Sequence, residues 1–168
     1  MEIFILMIIL CAGFSYGIFL ILFSQKLNSL ERKIEQLFHE RNDLIPSIFE
    51  VCGQNIQKQE EIFEEILRLR KQAFNAGNTR NNFVGSMELQ GRIHAELNFI
   101  FQVCNTHKKF IKNGNFMYVR DLIIEKSYEI GELMKLYTHM SEKYNTLLHL
   151  KNITIIGILF PLEKKYMI

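Results

Sequence analysis

The first 23 residues and the rest of the chain follow two different hydrophobic patterns. From Ile3 to Phe23 there are 21 consecutive residues without a charge. At about 1.5 Å of rise per residue, a helix of that length spans roughly 30 Å, the thickness of a bilayer's hydrocarbon core. From Leu27 onward the apolar residues step by three and four. The first series is Leu27, Leu30, Ile34, Leu37, Arg41, Leu44 and Ile48, with one charged residue in a seam slot. The second runs Ile48, Cys52, Asn55, Gln59, Ile62, Ile66, Leu69 and Ala73, the third Leu89, Ile93, Leu97, Ile100, Cys104, His107 and Ile111. The last is the longest: Phe116, Val119, Ile123, Lys126, Ile130, Leu133, Tyr137, Met140, Tyr144 and Leu147. Steps of three and four mark one stripe of a helix packed on a partner. No comparable alternation with period two exists, so a sheet is not expected.

Punctuation between these series is sparse. Pro occurs twice, at Pro46 and Pro161, and Pro is the main interior breaker of helices. The apolar run is therefore expected to continue into the first seam helix without interruption. At Asp43-Leu44-Ile45-Pro46 the pattern predicts a kink or tight break, with Asp43 as cap and Pro46 in the tolerated first turn. Asn75 to Ser86 reads as a linker, with Ser86 as the N-cap of the third helix. Asn113-Gly114-Asn115 reads as a glycine stop for that helix. The pattern predicts an all-α chain: an N-terminal transmembrane helix (residues 1–25), an antiparallel long-helix (up-down) bundle (26–152) and an apolar tail (153–168). The apolar part of the tail, Ile153 to Leu162, is too short to span a bilayer as a helix.

Charge refines the picture. The formal net charge is +2, without a basic block, so nucleic-acid binding is not expected. A cleaved signal peptide needs a basic segment ahead of a shorter apolar core. Here Glu2 precedes the run. A lipoprotein site at Cys11 lacks the small residue that should precede it, since Ile8, Ile9 and Leu10 stand there. Lys26, Arg32, Lys33 and Arg41 follow the run. The positive-inside rule then puts the body in the cytoplasm and the N-terminus outside. Of the three cysteines, Cys52 and Cys104 fall on apolar helix faces. Buried thiols are the simpler reading, and a Cys52–Cys104 disulfide stays open.

Candidate chemistry is thin. Di-iron bundles use Glu-x-x-His pairs, and none of His39, His94, His107, His139 and His149 has Glu three positions before it. No Gly-x-x-x-x-Gly-Lys loop is present, and the two seam cysteines lack a catalytic-loop context. No enzymatic activity, cofactor or metal is expected. Asn55, Gln59 and Lys126 read as polar layers that fix helix register.

The hexapeptide Arg41-Asn42-Asp43-Leu44-Ile45-Pro46 resembles the Arg-Tyr-Asp-Leu-Ile-Pro motif of the LemA family. Further agreement follows in order: the long helix Ile48 to Ala73, the helix start at Asn115-Phe116, Tyr137, the Tyr144-Asn145 step, and the Gly-containing apolar tail Ile155 to Phe160. The resemblance covers roughly residues 28–160. Asn42 stands in place of the usual Tyr, Thr138 replaces the Asn of the first Tyr-Asn step, and the stretch between anchor and hexapeptide is shorter. The resemblance implies an anchored antiparallel helical bundle with no settled activity, and marks Arg41, Asp43, Leu44, Ile45, Pro46, Tyr137, Tyr144 and Asn145 as its structural or interaction residues. The expected partners are the lipid bilayer of a bacterial inner membrane and an unidentified membrane or cytoplasmic protein, with self-association left open. Two roles remain: a scaffold docking partners on a helical face, or a tethered sensor or ligand-binding bundle. Only Met1 and Glu2 precede the apolar run, so an output domain on that side is not expected, which favours the scaffold.

Overall fold

Freedom from internal Pro sets the first element. In the computed structural model, which describes residues 1–52, 59–77, 83–151 and 163–165, helix α1 runs unbroken over Glu2–Asp43. It is followed by α2 (Ile45–Cys52), α3 (Gln59–Gly77), α4 (Phe83–Thr106), the single turn α5 (Lys108–Ile111) and α6 (Gly114–Lys151). Among the described residues there is no strand. The expected break falls at Leu44. The Leu44 amide donates to the Arg41 carbonyl, the Ser47 amide to the Leu44 carbonyl, and Pro46 sits second in α2. There its missing N–H leaves no intrahelical bond unmade.

The chain divides into two compact units, one of residues 1–33 and 133–168, the other of residues 34–132. In the first unit, Tyr16 pairs with Leu147, Phe23 with Tyr144 and Glu31 with Tyr137. One set of numbers rises as the other falls, so α1 and α6 are antiparallel. Leu20 and Leu27 are fully buried on α1, Tyr137 and Tyr144 on α6. The apolar run of α1 changes character along its length. Every residue from Ile3 to Leu10 is exposed, whereas farther on Phe14, Ile18 and Leu22 are exposed while Gly17 and Leu20 are covered. One run of sequence thus carries an apolar surface all round its beginning and a packing stripe on its second half.

The second unit holds the other core, built from Ile45, Ile48 and Cys52 of α2, Ile66, Leu69 and Ala73 of α3, Ile93, Leu97, Ile100, Phe101 and Cys104 of α4, Phe110 of α5, and Phe116 and Ile123 of α6. Cys52 of α2 meets Cys104 of α4, and Glu65 of α3 meets Arg92 of α4. The predicted seams recur as buried stripes. On α6, Phe116, Ile123, Ile130, Tyr137 and Tyr144 are each buried, spaced by seven, with Val119, Lys126, Leu133, Met140 and Leu147 half-buried between them. Leu20, Leu27, Ile34, Arg41 and Ile48 repeat the same spacing through α1 and α2, and all are buried. A period of seven holds a stripe on one face because it is close to two turns of helix.

Four boundaries differ from the sequence expectation. Ser86 is a buried residue inside α4 rather than its cap, because α4 begins at Phe83. The third helix breaks at His107 instead of reaching Ile111. His107 adopts an extended backbone with φ −101° and ψ 110°, and His107 and Ile111 are exposed while Phe110 turns inward. Asn113-Gly114 starts a helix rather than ending one. The Asn113 Oδ1 accepts from the Phe116 amide at 3.1 Å, an N-cap that satisfies one of the helix's orphan donors. The linker is shorter than expected, since α3 extends to Gly77. Asn55 and Ile153 to Leu162 lie outside the described residues.

Candidate functional site

The hexapeptide and the tyrosine-asparagine residues fall in different units, so each makes its own site. In the second unit the end of α1 turns Arg41 inward. Its side chain is 2% exposed. The guanidinium Nη2 donates to the Gln90 side-chain Oε1 at 2.8 Å and to the Gln90 carbonyl at 3.3 Å, and the group lies 5.4 Å from the Phe38 ring centroid. These partners are neutral, so burial acts on the cation with little compensation and lowers its pKa to about 10. Arg41 stays charged at neutral pH. Asn42 is 4% exposed, and its Oδ1 and the Arg41 Nε are buried without hydrogen-bond partners.

Asp43 points the other way, with its side chain 71% exposed, and accepts from Arg70 Nη2 of α3 at 2.6 Å. Ile45 is buried, Leu44 half-buried and Pro46 exposed. The motif therefore alternates inward and outward residues across a helix break. Beside it lies a cavity of about 590 Å³, lined by His39, Asn42 and Asp43 of α1, Leu67, Arg70 and Lys71 of α3, and Gln90 of α4. Asp43, Arg70 and Lys71 give its lining both signs of charge, and Asn42 and Gln90 add amides. On α4 itself, burial holds the His94 imidazole below its usual range, with the Arg41 charge adding to the effect. Asn98 shares a hydrogen bond with that ring at 3.0 Å. Farther along α1, Lys126 Nζ donates to Glu40 Oε2 at 2.6 Å. That bond lowers the Glu40 pKa and raises that of Lys126. The polar slot expected at Lys126 thus faces a carboxylate.

In the first unit Tyr137 and Asn145 belong to a polar layer. The Tyr137 hydroxyl donates to Glu31 Oε1 at 2.7 Å, and Lys165 Nζ donates to the same oxygen at 2.9 Å and to the Asn28 Oδ1. Asn145 holds the backbone of Lys165 from both sides: its Nδ2 donates to the Lys165 carbonyl at 2.6 Å, and its Oδ1 accepts from the Lys165 amide at 2.9 Å. Burial, then the bond to Glu31, raises the Tyr137 pKa. Tyr144 packs edge-on to Phe23 with ring centroids 5.7 Å apart. These contacts fix the position of a segment near the C-terminus.

Sequence reasoning missed several of these groups. Gln90 was within reach, because Ser86, Gln90, Ile93 and Leu97 keep the four-three phase and all are buried. Glu31 and Asn28 flank the first seam without lying on it, and Lys165 belongs to a short charged segment with no periodic signal. Among the described residues no group of three or more His, Cys, Asp or Glu is placed to hold a metal.

A family model for the LemA family matches residues 31–167. No curated protein and no solved structure matches the chain.

Proposed function

Since the chain belongs to the LemA family and has one N-terminal helix long and apolar enough to cross a membrane, we propose that it is a membrane-anchored, non-enzymatic interaction module. The observation that supports the anchor is the first part of α1, where Ile3, Phe4, Ile5, Leu6, Met7, Ile8, Ile9 and Leu10 are all more than half exposed. A contiguous apolar surface of that kind needs an apolar environment. Lys26, Arg32 and Lys33 follow on exposed or edge positions of the same helix, and on the positive-inside rule they put the body in the cytoplasm of a bacterial cell. A C-terminal phosphatase fusion, active only outside the cytoplasm, is then expected to be silent; an active fusion overturns the topology.

The docking surface in this reading is the hexapeptide cavity of the second unit. Its rim presents Asp43, Arg70 and Lys71 from two helices, so a partner is recognised by charge as well as shape. Affinity purification of the full chain from detergent-solubilised membranes tests it. A defined partner is expected with the wild type and lost with Arg70→Glu plus Lys71→Glu. An identical set of proteins from both overturns this surface as the site. A second reading, a ligand-binding bundle, is favoured by the buried Asn42 Oδ1 on the cavity wall. It predicts a small molecule, rather than a protein, lost with the same variant.

A further inference from the structure

Cys52 closes α2 and Cys104 lies in the last turn of α4, 52 residues apart in the sequence. Both side chains are fully buried in the core of the second unit. Their Sγ atoms are 3.2 Å apart. A disulfide needs about 2.05 Å, so the two sulfurs have roughly 1 Å left to close. The pairing arises from two seams read separately: each thiol sits where its own helix buries an apolar residue, and the packing of α2 on α4 brings the two slots opposite. For two simple core-fillers, apolar side chains would serve as well, without the reactivity.

We propose that Cys52 and Cys104 form a modification site, converted by a hydroperoxide into a reversible intramolecular disulfide that ties α2 to α4. The reaction balances in two steps. One thiolate sulfur attacks a peroxide oxygen; the S–O bond forms, the O–O bond breaks, and the departing hydroxide takes up the proton released by the first thiol and leaves as water. The second sulfur then attacks the resulting sulfenic acid; the S–S bond forms, the S–O bond breaks, and the hydroxyl departs as water with the second thiol's proton. Two thiols and one hydrogen peroxide give one disulfide and two waters, the sulfurs losing two electrons and the peroxide oxygens gaining them. When Cys52 donates its S–H to Cys104, the Cys104 thiolate is favoured and that of Cys52 disfavoured, so Cys104 attacks first. Burial makes that first step slow, because the thiolate is the reactive form and the site is dry. The neighbouring sulfur makes the second step fast, since it is already in place. The link closes the chain between residues 52 and 104, which restricts the unfolded state and stabilises the folded one. Cys11 is exposed on the apolar run and takes no part.

The test uses the full chain in detergent micelles with Cys11→Ser, reduced, then treated with hydrogen peroxide, denatured and alkylated. Mass spectrometry is expected to show a loss of two hydrogens, both remaining cysteines protected from alkylation, and a linked peptide pair containing Cys52 and Cys104. Dithiothreitol should restore both thiols, and the oxidised chain should unfold at a higher urea midpoint than the reduced one. Cys52→Ser should leave Cys104 to accumulate oxygen adducts instead. Full alkylation of both cysteines after peroxide overturns the proposal. So does oxygen addition to each without a link, or a link that forms only when peroxide is added to the urea-unfolded chain.

Discussion

Replacing Tyr137 by Phe removes one oxygen atom and leaves the packing of the ring unchanged, so it measures the polar layer alone. Tyr137 is fully buried, and its hydroxyl donates to Glu31 at 2.7 Å. Hydrogen bonds to charged groups contribute about 1.5–3 kcal/mol. Glu31 keeps the Lys165 ammonium after the substitution, so no carboxylate is orphaned and the lower half of that range applies, about 1.5–2 kcal/mol. Urea unfolding of the full chain in micelles, followed by circular dichroism, should show a lower midpoint with an unchanged slope. The pH dependence gives a second readout. The folded-state pKa of Tyr137 is raised by burial and by Glu31, above the unfolded value near 10. Its contribution is therefore fully present below about pH 10 and is lost as pH rises toward the folded value, because the unfolded chain sheds the proton first. The slope is at most about 1.4 kcal/mol per pH unit for one group. Tyr137→Phe should flatten the fall in stability above pH 10. A variant that unfolds with the wild type at neutral pH and keeps the same alkaline slope would refute the bond to Glu31 as a stabilising contact.

Arg41→Met should cost far less than Arg41→Ala in the same urea assay. Methionine refills the space and removes a buried cation, whereas alanine leaves a cavity costing about 2–5 kcal/mol; equal losses would show that the charge itself holds the hexapeptide in place. Lys126→Leu should keep or raise the midpoint, since its partner Glu40 retains access to water, and a strong loss would mean that the Lys126–Glu40 pair is essential to the second unit.

The seams were legible in the sequence because each depends on spacing along one helix. Leu27, Ile34, Ile93, Ile123 and Ile130 needed only the period of a helix to be placed inside. Arg41 and Lys126 could be seen as polar residues in apolar slots. The burial of Gln90 follows from its phase, but its pairing with Arg41, like that of Glu40 with Lys126, is set by how helices pack on one another. His107 illustrates another limit. It fits the phase of the third helix, yet the chain breaks there and buries Phe110 instead, a tertiary choice that outweighs local periodicity. Asn113-Gly114 carried the right residues for a helix boundary, but Asn as a cap and Gly as a stop predict opposite sides of it. Cys52 and Cys104 were each placed on a buried face, while their distance of 3.2 Å follows from the packing of elements far apart in sequence. Lys165 shows where periodicity has nothing to offer, since one residue in a charged segment is held by two side-chain–backbone bonds from Asn145.

The proposed anchor is tested most directly by alkaline carbonate extraction of membranes that contain the full chain. A helix inserting about 20 apolar residues is effectively irreversibly held. The account predicts that all of the protein stays in the membrane pellet and is released only by detergent. Full-length protein in the carbonate supernatant would contradict it, and would mean that the exposed apolar surface of Ile3 to Leu10 is covered by something other than lipid.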